Sequence, residues 1–189
     1  MGTVEWAVTA GAAAAGSSYA PFVLTTDAQV DRIIALARIT SYDVVCDLGF
    51  GDAQALLRMS ERTGCTCIGN EVNGDLVVKA RANAAAAGAS GARLTLTQGL
   101  NSTFIETAAF LSATVIFLAL VPSSMKELLP MIRRALERGV RVVAQRFEAP
   151  GLTASASIDG GAPTTAAASY FSNCGPAFLY ERAGQGAPL

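Results

Sequence analysis

The sequence predicts a doubly wound α/β fold with a mostly parallel sheet and an antiparallel C-terminal strand. Apolar runs alternate with segments of helical period along the chain, which is the pattern of βαβ units. The run "ATVIFLAL" at 113–120 is apolar on both faces, as a central parallel strand requires. The stretch around "DGGAPTT" reads as the turn of a closing antiparallel pair.

The elements follow in order. "TTDAQVDRIIALARIT" starts a helix near Asp27, with Val30, Ile33, Ile34, Leu36 and Ala37 at helical spacing. "DVVCDLG" is the first strand, and "DAQALLRMSERTG" the helix that Gly64 stops. "CTCIGNEV" and "GDLVVKARANAAAAGA" form the second strand and helix, with Gly88 as terminator. "ARLTLTQGL" is a third strand and "ATVIFLAL" a fourth, ended by Pro122. "SSMKELLPMIRRALERG" is helical, with Pro130 predicting a kink or a late start. "VRVVAQRF" is the fifth strand, and the closing pair brings the count to seven.

The 189 residues suit one domain with a full sheet and its covering helices. We divide them into a small-residue N-terminal arm or helix at 1–20 and a domain at 21–189. The stretch 6–26 carries no charge, but its Gly, Ser and Ala content suits packing on the domain better than spanning a bilayer. Membrane association rests on that stretch alone, and no basic targeting character precedes it.

Composition excludes several chemistries. A net charge of −1 gives no reason to expect a nucleic-acid surface. Histidine is absent, which removes Ser-His-Asp triads, Cys-His dyads and histidine metal sites. Cys65 and Cys67 lie two apart, while Cys46 and Cys174 are remote, so no metal site is predicted. Buried free thiols in a reducing compartment, cytoplasmic or mitochondrial, are the expectation.

The stretch "VVCDLGFGDA" carries the chemistry. A strand ends on Asp47, and the turn after it has glycine at 49 and 51. Gly51 would let a ligand approach the backbone without meeting a Cβ. The plain alternative is a tight strand-to-helix turn. Glu71 ends the second strand, at about the twenty-residue distance where dinucleotide folds place an acid on a ribose. Two strand-end acids beside one glycine loop are costly unless engaged.

A nicotinamide cofactor or S-adenosylmethionine are the two candidates. In a G-x-G-x-x-G loop the third glycine would fall at Gln54. Asp47 and Asp52 would repel a pyrophosphate and attract a sulfonium or an ammonium. The pattern favours S-adenosylmethionine.

These residues resemble a known family. "DVVCDLGFGDAQALL" and "GCTCIGNEVNGDLVVKARANAAAAGA" are similar to the first two units of class I S-adenosylmethionine-dependent methyltransferases, whose sheet is Rossmann-like. "YAPFVLTTDAQVDRIIALA" and "TVIFLALVPSSMKELLPMIRRALERGVRVVAQRFEAP" resemble a subfamily of small protein-lysine N-methyltransferases. That subfamily includes those acting on the ATP synthase c subunit and the adenine nucleotide translocase. The resemblance covers about Tyr19 to Pro150.

It implies that Asp47, Gly49 and Gly51 hold the methionyl end of the cofactor and Glu71 the ribose. Phe50 and Asp52 complete that loop, and Pro21, Phe22, Thr25 and Thr26 form a covering segment. Asn101 stands near the place of an acid that meets the adenine amino group. The departures are Phe50, with the bulk to crowd the pocket, Ala53 for a third glycine, Phe22 for tyrosine and Leu24 for proline. No Asn/Asp-Pro-Pro-Tyr motif follows the fourth strand; Leu120-Val121-Pro122-Ser123 form an apolar rim suited to a desolvated lysine. Glu148, beyond the fifth strand, is the candidate catalytic acid-base group, and Arg146 pairs with an acidic substrate group or a local carboxylate.

The expected function is therefore methyl transfer from S-adenosylmethionine to a lysine of a protein substrate, with no nucleic-acid partner. The alternatives are another acceptor within the same fold family, a degenerate fold-mate acting as a binding module, and a nicotinamide oxidoreductase.

Overall fold

The computed structural model describes residues 24–159 and 175–182. The 1–20 arm, Phe22, Cys174 and most of the uncharged 6–26 stretch lie outside them.

The described residues hold seven strands, β1 (Val44–Leu48), β2 (Thr66–Glu71), β3 (Leu94–Gln98), β4 (Val115–Leu118), β5 (Arg141–Gln145), β6 (Ala156–Ile158) and β7 (Ala177–Tyr180). They form one sheet in the order β3-β2-β1-β4-β5-β7-β6. The first five run parallel, and β7 is antiparallel to both β5 and β6. The strand order reverses between β1 and β4, which opens a crevice beyond their carboxyl ends.

The helices are α1 (Asp27–Ala37), α2 (Gln54–Thr63), α3 (Gly74–Ala86), α4 (Asn101–Phe104), α5 (Ala108–Leu111) and α6 (Pro122–Glu137). Thr26 caps α1 in a reciprocal box with Gln29, and Asp27 is its first residue, as expected. Gly64 closes α2 in the left-handed conformation. Of the two outcomes expected at Pro130, a late start does not occur: α6 begins at Pro122 and continues past Pro130. Pro122 is preorganised for a first helical position, where a missing N–H costs nothing. Residues 91–93 form a 3₁₀ turn, so β3 starts at Leu94, later than its composition suggests.

Alternation along the strands sorts the core into two layers. Val45, Cys67, Val115, Phe117 and Val143 face α1, α2 and α3, with Val30, Ile33, Leu56 and Val77 opposite them. Cys46, Leu48, Ile68, Ile116, Leu118 and Val142 face α6 and the short helices, with Phe110, Met125 and Ile132. Cys46, Cys65 and Cys67 are buried free thiols.

Asp43 ties the opposite edge together. Its carboxylate accepts from the Thr40 N–H at 2.8 Å and the Thr114 hydroxyl at 2.7 Å, and pairs with Arg141 at the start of β5. Burial pushes the carboxyl up, yet these hydrogen bonds and the guanidinium together hold it below the ordinary value of 3.8. A depressed folded pKa contributes stability above the ordinary carboxylate pKa and loses it as pH falls through the folded value. Asp43→Asn is expected to cost about 2–4 kcal/mol near neutral pH. Thermal melts should show the gap to the parent closing as pH falls below the ordinary carboxylate value of 3.8 and on through the depressed folded one.

Candidate S-adenosylmethionine site

The loop after β1 reverses direction through three left-handed residues, Gly49, Gly51 and Ala53, with φ of 105°, 60° and 60°. Glycine accepts this freely, whereas alanine bears about 1–2 kcal/mol. Ala53 is nonetheless fully buried and caps α2 without a side-chain hydrogen bond. A Cβ added at Gly49 would lie 3.4 Å from Leu120 Cδ2. Leu120, the first residue of the apolar rim after β4, therefore borders the glycine loop.

Phe50 does not crowd the cleft with its ring. The side chain is 4% exposed and belongs to the layer beneath α1, α2 and α3. It fits because β2 carries glycine opposite: a Cβ at Gly69 would stand 2.7 Å from Phe50 Cδ1. The same face holds Leu56, whose Cδ1 would lie 3.3 Å from that Cβ. Phe50 thus offers only its main chain to a ligand.

Asp47 is paired in register with Gly69 on one side and Phe117 on the other. It is 4% exposed, and its Oδ1 has no hydrogen-bond partner. Burial raises its pKa, Glu71 raises it further, and the carboxyl reaches about 8. Glu71 is also buried but engaged: Oε2 accepts from Gly51 N–H at 3.0 Å and Oε1 from Asn73 N–H at 2.9 Å. It clamps the glycine loop to the end of β2, and each oxygen keeps a lone pair for a ligand hydroxyl.

The remaining predicted residues spread around this pair. Asp52 turns to α3, where it pairs with Lys79 at 2.9 Å and accepts from Gln54 N–H at 3.3 Å. Asn101 Oδ1 accepts from Asn70 Nδ2 at 3.0 Å, and the same amide reaches the Gly99 carbonyl at 2.7 Å. Thr25 donates to Gln145 Oε1 at 3.2 Å, bringing the entry to α1 against the end of β5. Thr26 is engaged in the α1 cap. Glu148 is exposed beyond β5, and its charge, after burial, helps raise the Tyr180 phenol. Arg146 sits at φ 71°, with its N–H on the Pro176 carbonyl at 2.7 Å.

Asn70 is a further candidate for the site that spacing does not reveal. It is 1% exposed at the end of β2, and its Oδ1 has no partner. Only its place beside Glu71 could have signalled it.

The donor set fits a cationic nucleoside. An orphaned carboxylate oxygen, two buried acids and a bend open to backbone approach would hold an ammonium or a sulfonium together with a ribose. They would repel a dinucleotide pyrophosphate. A doubly wound sheet with this loop defines the Rossmann-like methyltransferase class.

The comparisons agree. Residues 47–156 match the model of the ANTKMT methyltransferase domain. A protein-lysine N-methyltransferase of Saccharolobus islandicus (strain REY15A) is 29% identical over 134 residues, covering 70% of this chain and 80% of that protein. The Homo sapiens lysine N-methyltransferase of the ATP synthase c subunit is 32% identical over 134 residues. That match covers 70% of this chain and 54% of the human protein, so the similarity spans about half of the latter. The crystal structure of an RNA methyltransferase from Salinibacter ruber with S-adenosyl-L-homocysteine superimposes with a TM-score of 0.67 at 28% identity. It covers 84% of this chain and 92% of that one.

The chain belongs to the ANTKMT methyltransferase domain family. It is an S-adenosylmethionine-dependent methyltransferase.

If Glu71 accepts from the ribose as expected, Glu71→Ala should weaken S-adenosylmethionine binding by about 1–3 kcal/mol, and it also frees the Gly51 and Asn73 N–H groups. Isothermal titration of each protein measures this directly.

Proposed function

We propose that the acceptor is a lysine side chain of a protein. The observation that carries this reading is the extended similarity to the Saccharolobus islandicus protein-lysine N-methyltransferase, across 80% of that protein. The apolar rim beside Gly49 supports it independently.

S-adenosylmethionine, when bound, supplies an electrophilic methyl group. The tasks left to the protein are to hold the cofactor, align the acceptor and dispose of a proton. Asp47 and Glu71 do the first at the tips of β1 and β2. Leu120, Val121 and Pro122 do the second by lining the acceptor's path with carbon. That desolvation also favours the neutral amine, which is the nucleophilic form. Glu148 is the proposed proton acceptor. From an exposed position it passes the proton to water, so most of the amine's activation rests on the rim.

The test is label transfer from methyl-tritiated S-adenosylmethionine to a cell extract separated into protein and RNA. The expected result is label in protein, recovered as methyl-lysine after acid hydrolysis. Label confined to RNA would overturn the lysine reading. Cofactor binding without transfer to either fraction would favour the binding-module alternative.

A further inference from the structure

The tips of β1, β2 and β3 stand side by side, and the first two carry Asp47 and Glu71. Gln98 pairs in register with Glu71, and the Gly99 N–H donates to the Glu71 carbonyl at 3.1 Å. With the methionyl end at Asp47 and the ribose at Glu71, the base joined to that ribose falls on the next strand tip, about 5 Å further across the sheet. That tip is Gly99-Leu100-Asn101. A Cβ added at Gly99 would have one neighbour within 4 Å, Asn70 Oδ1 at 3.7 Å, so the space there is open. Leu100 is 56% exposed and offers the apolar surface that a flat ring would cover.

Asn70 sets the polarity of this tip. Its Nδ2 lies 2.7 Å from the Gly99 carbonyl and 3.0 Å from Asn101 Oδ1. A main-chain carbonyl only accepts, so turning the Asn70 amide over would set two oxygens against each other. The NH₂ group is therefore fixed, with one hydrogen on Gly99 and the other directed at Asn101. Asn101 has to meet it with its oxygen. The NH₂ of Asn101 then turns away from Asn70, makes no hydrogen bond among the described residues and is not enclosed. Asn70 is 1% exposed and Asn101 half-buried, so a buried anchor holds a donor that a ligand can reach.

We propose that Asn101 reads the cofactor's adenine as a hydrogen-bond donor to a ring nitrogen beside the amino group, and that Asn70 is the positioning residue that fixes this polarity. An acid at this place would accept from the amino group. Asn101, with its oxygen engaged by Asn70, offers the opposite. Adenine carries a ring acceptor on each side of that amino group, N1 and N7, so the same edge can serve either polarity. The consequence is a site that recognises the base without requiring its amino group. The proposal concerns cofactor recognition and holds whichever acceptor is methylated.

The experiment is calorimetric titration of the full-length protein with S-adenosylhomocysteine and three analogues. One carries hydrogen in place of the amino group; the 1-deaza and 7-deaza forms carry C–H in place of N1 or N7. The parent should bind the analogue without the amino group within about twofold of S-adenosylhomocysteine, and one deaza analogue about fivefold more weakly. Asn101→Asp keeps the acceptor for Asn70 and puts an oxygen where the open donor was. In this variant the deaza penalty should fall below about twofold, and loss of the amino group should weaken binding about tenfold. Asn101 is the half-buried first residue of α4, where an acid is well accommodated, which guards against misfolding. Asn70→Ala leaves Asn101 free to turn either way and should also bring the deaza penalty below about twofold. A tenfold dependence of the parent on the amino group, no penalty with either deaza analogue, or a penalty that survives Asn101→Asp would overturn the proposal. A penalty that survives Asn70→Ala alone would overturn the role of Asn70.

A second readout follows the donor itself. The side-chain NH₂ signals of Asn101 are identified by their loss in Asn101→Asp. On binding of S-adenosylhomocysteine, one of the two hydrogens should move downfield and exchange more slowly with water. With the weaker deaza analogue at saturation it should do neither. The same response to both ligands would contradict the donor assignment.

Discussion

Asp47→Asn is expected to stabilise the free protein while abolishing its retention of S-adenosylmethionine. The carboxyl is held among Gly69, Phe117 and a neighbouring acid, with one oxygen lacking any donor. Burial, then Glu71, raises its pKa to about 8. For an acid the sign is clear: a folded pKa above the unfolded one costs stability as pH rises between the two values. An amide of the same shape removes that cost and the repulsion of Glu71. Near pH 8 the gain should be about 1–2 kcal/mol, read as a rise in Tm of several degrees. The same change deletes the counter-charge for a cationic ligand, and affinity should fall by at least about tenfold, the equivalent of 1.4 kcal/mol. A substitution that raises stability and removes binding is the signature of a site strained for function. A fall in both would mean that Asp47 is structural.

The second large effect is expected at Gly69, which touches no ligand in this account. Its missing Cβ is the space that Phe50 fills, with 2.7 Å to the ring and 3.1 Å to the Asp47 carbonyl. Gly69→Ala should destabilise the protein by about 1–3 kcal/mol through overpacking. It should also weaken cofactor binding, because the displaced ring is attached to the loop between Gly49 and Gly51. Phe50→Leu in the same protein is expected to restore part of both losses. Denaturant melts of the two single variants and the double variant give the coupling. Additive effects would show that ring and glycine do not share one space.

This pair also shows where sequence reading stops. The sheet was legible because alternating apolar and helical-period segments admit few arrangements once crossovers are right-handed. The acids at 47 and 71 were legible because strand ends and glycine turns mark positions within a single stretch of sequence. The direction of Phe50 was not. It is decided by Gly69 on the adjacent strand, and nothing local in "LGFGD" distinguishes a ring in the cleft from a ring in the core. The four-residue helices α4 and α5 were missed because one turn shows no period, although Phe104 and Phe110 meet edge to face, 6.2 Å between centroids. Pro130 does not delay the start of α6, since a helix docked along a sheet can absorb one missing N–H. The buried amides of Gln29, Asn70 and Gln145 look like surface residues in sequence, and only the topology buries them.

The central claim is that Asp47 is the counter-charge the cofactor meets. Its most direct test is calorimetric titration with S-adenosylmethionine at pH 6.5, in two buffers of different ionisation enthalpy. At that pH the ligand's α-amine, with a pKa of about 7.7–8.0, is already charged. Any proton exchanged with the buffer then comes from the protein. With a free-protein pKa of about 8, binding should release most of one proton at pH 6.5. Affinity should rise with pH toward about 8, and Asp47→Asn should abolish the release. Binding at pH 6.5 that releases no proton, with an affinity unaffected by Asp47→Asn, would contradict the account.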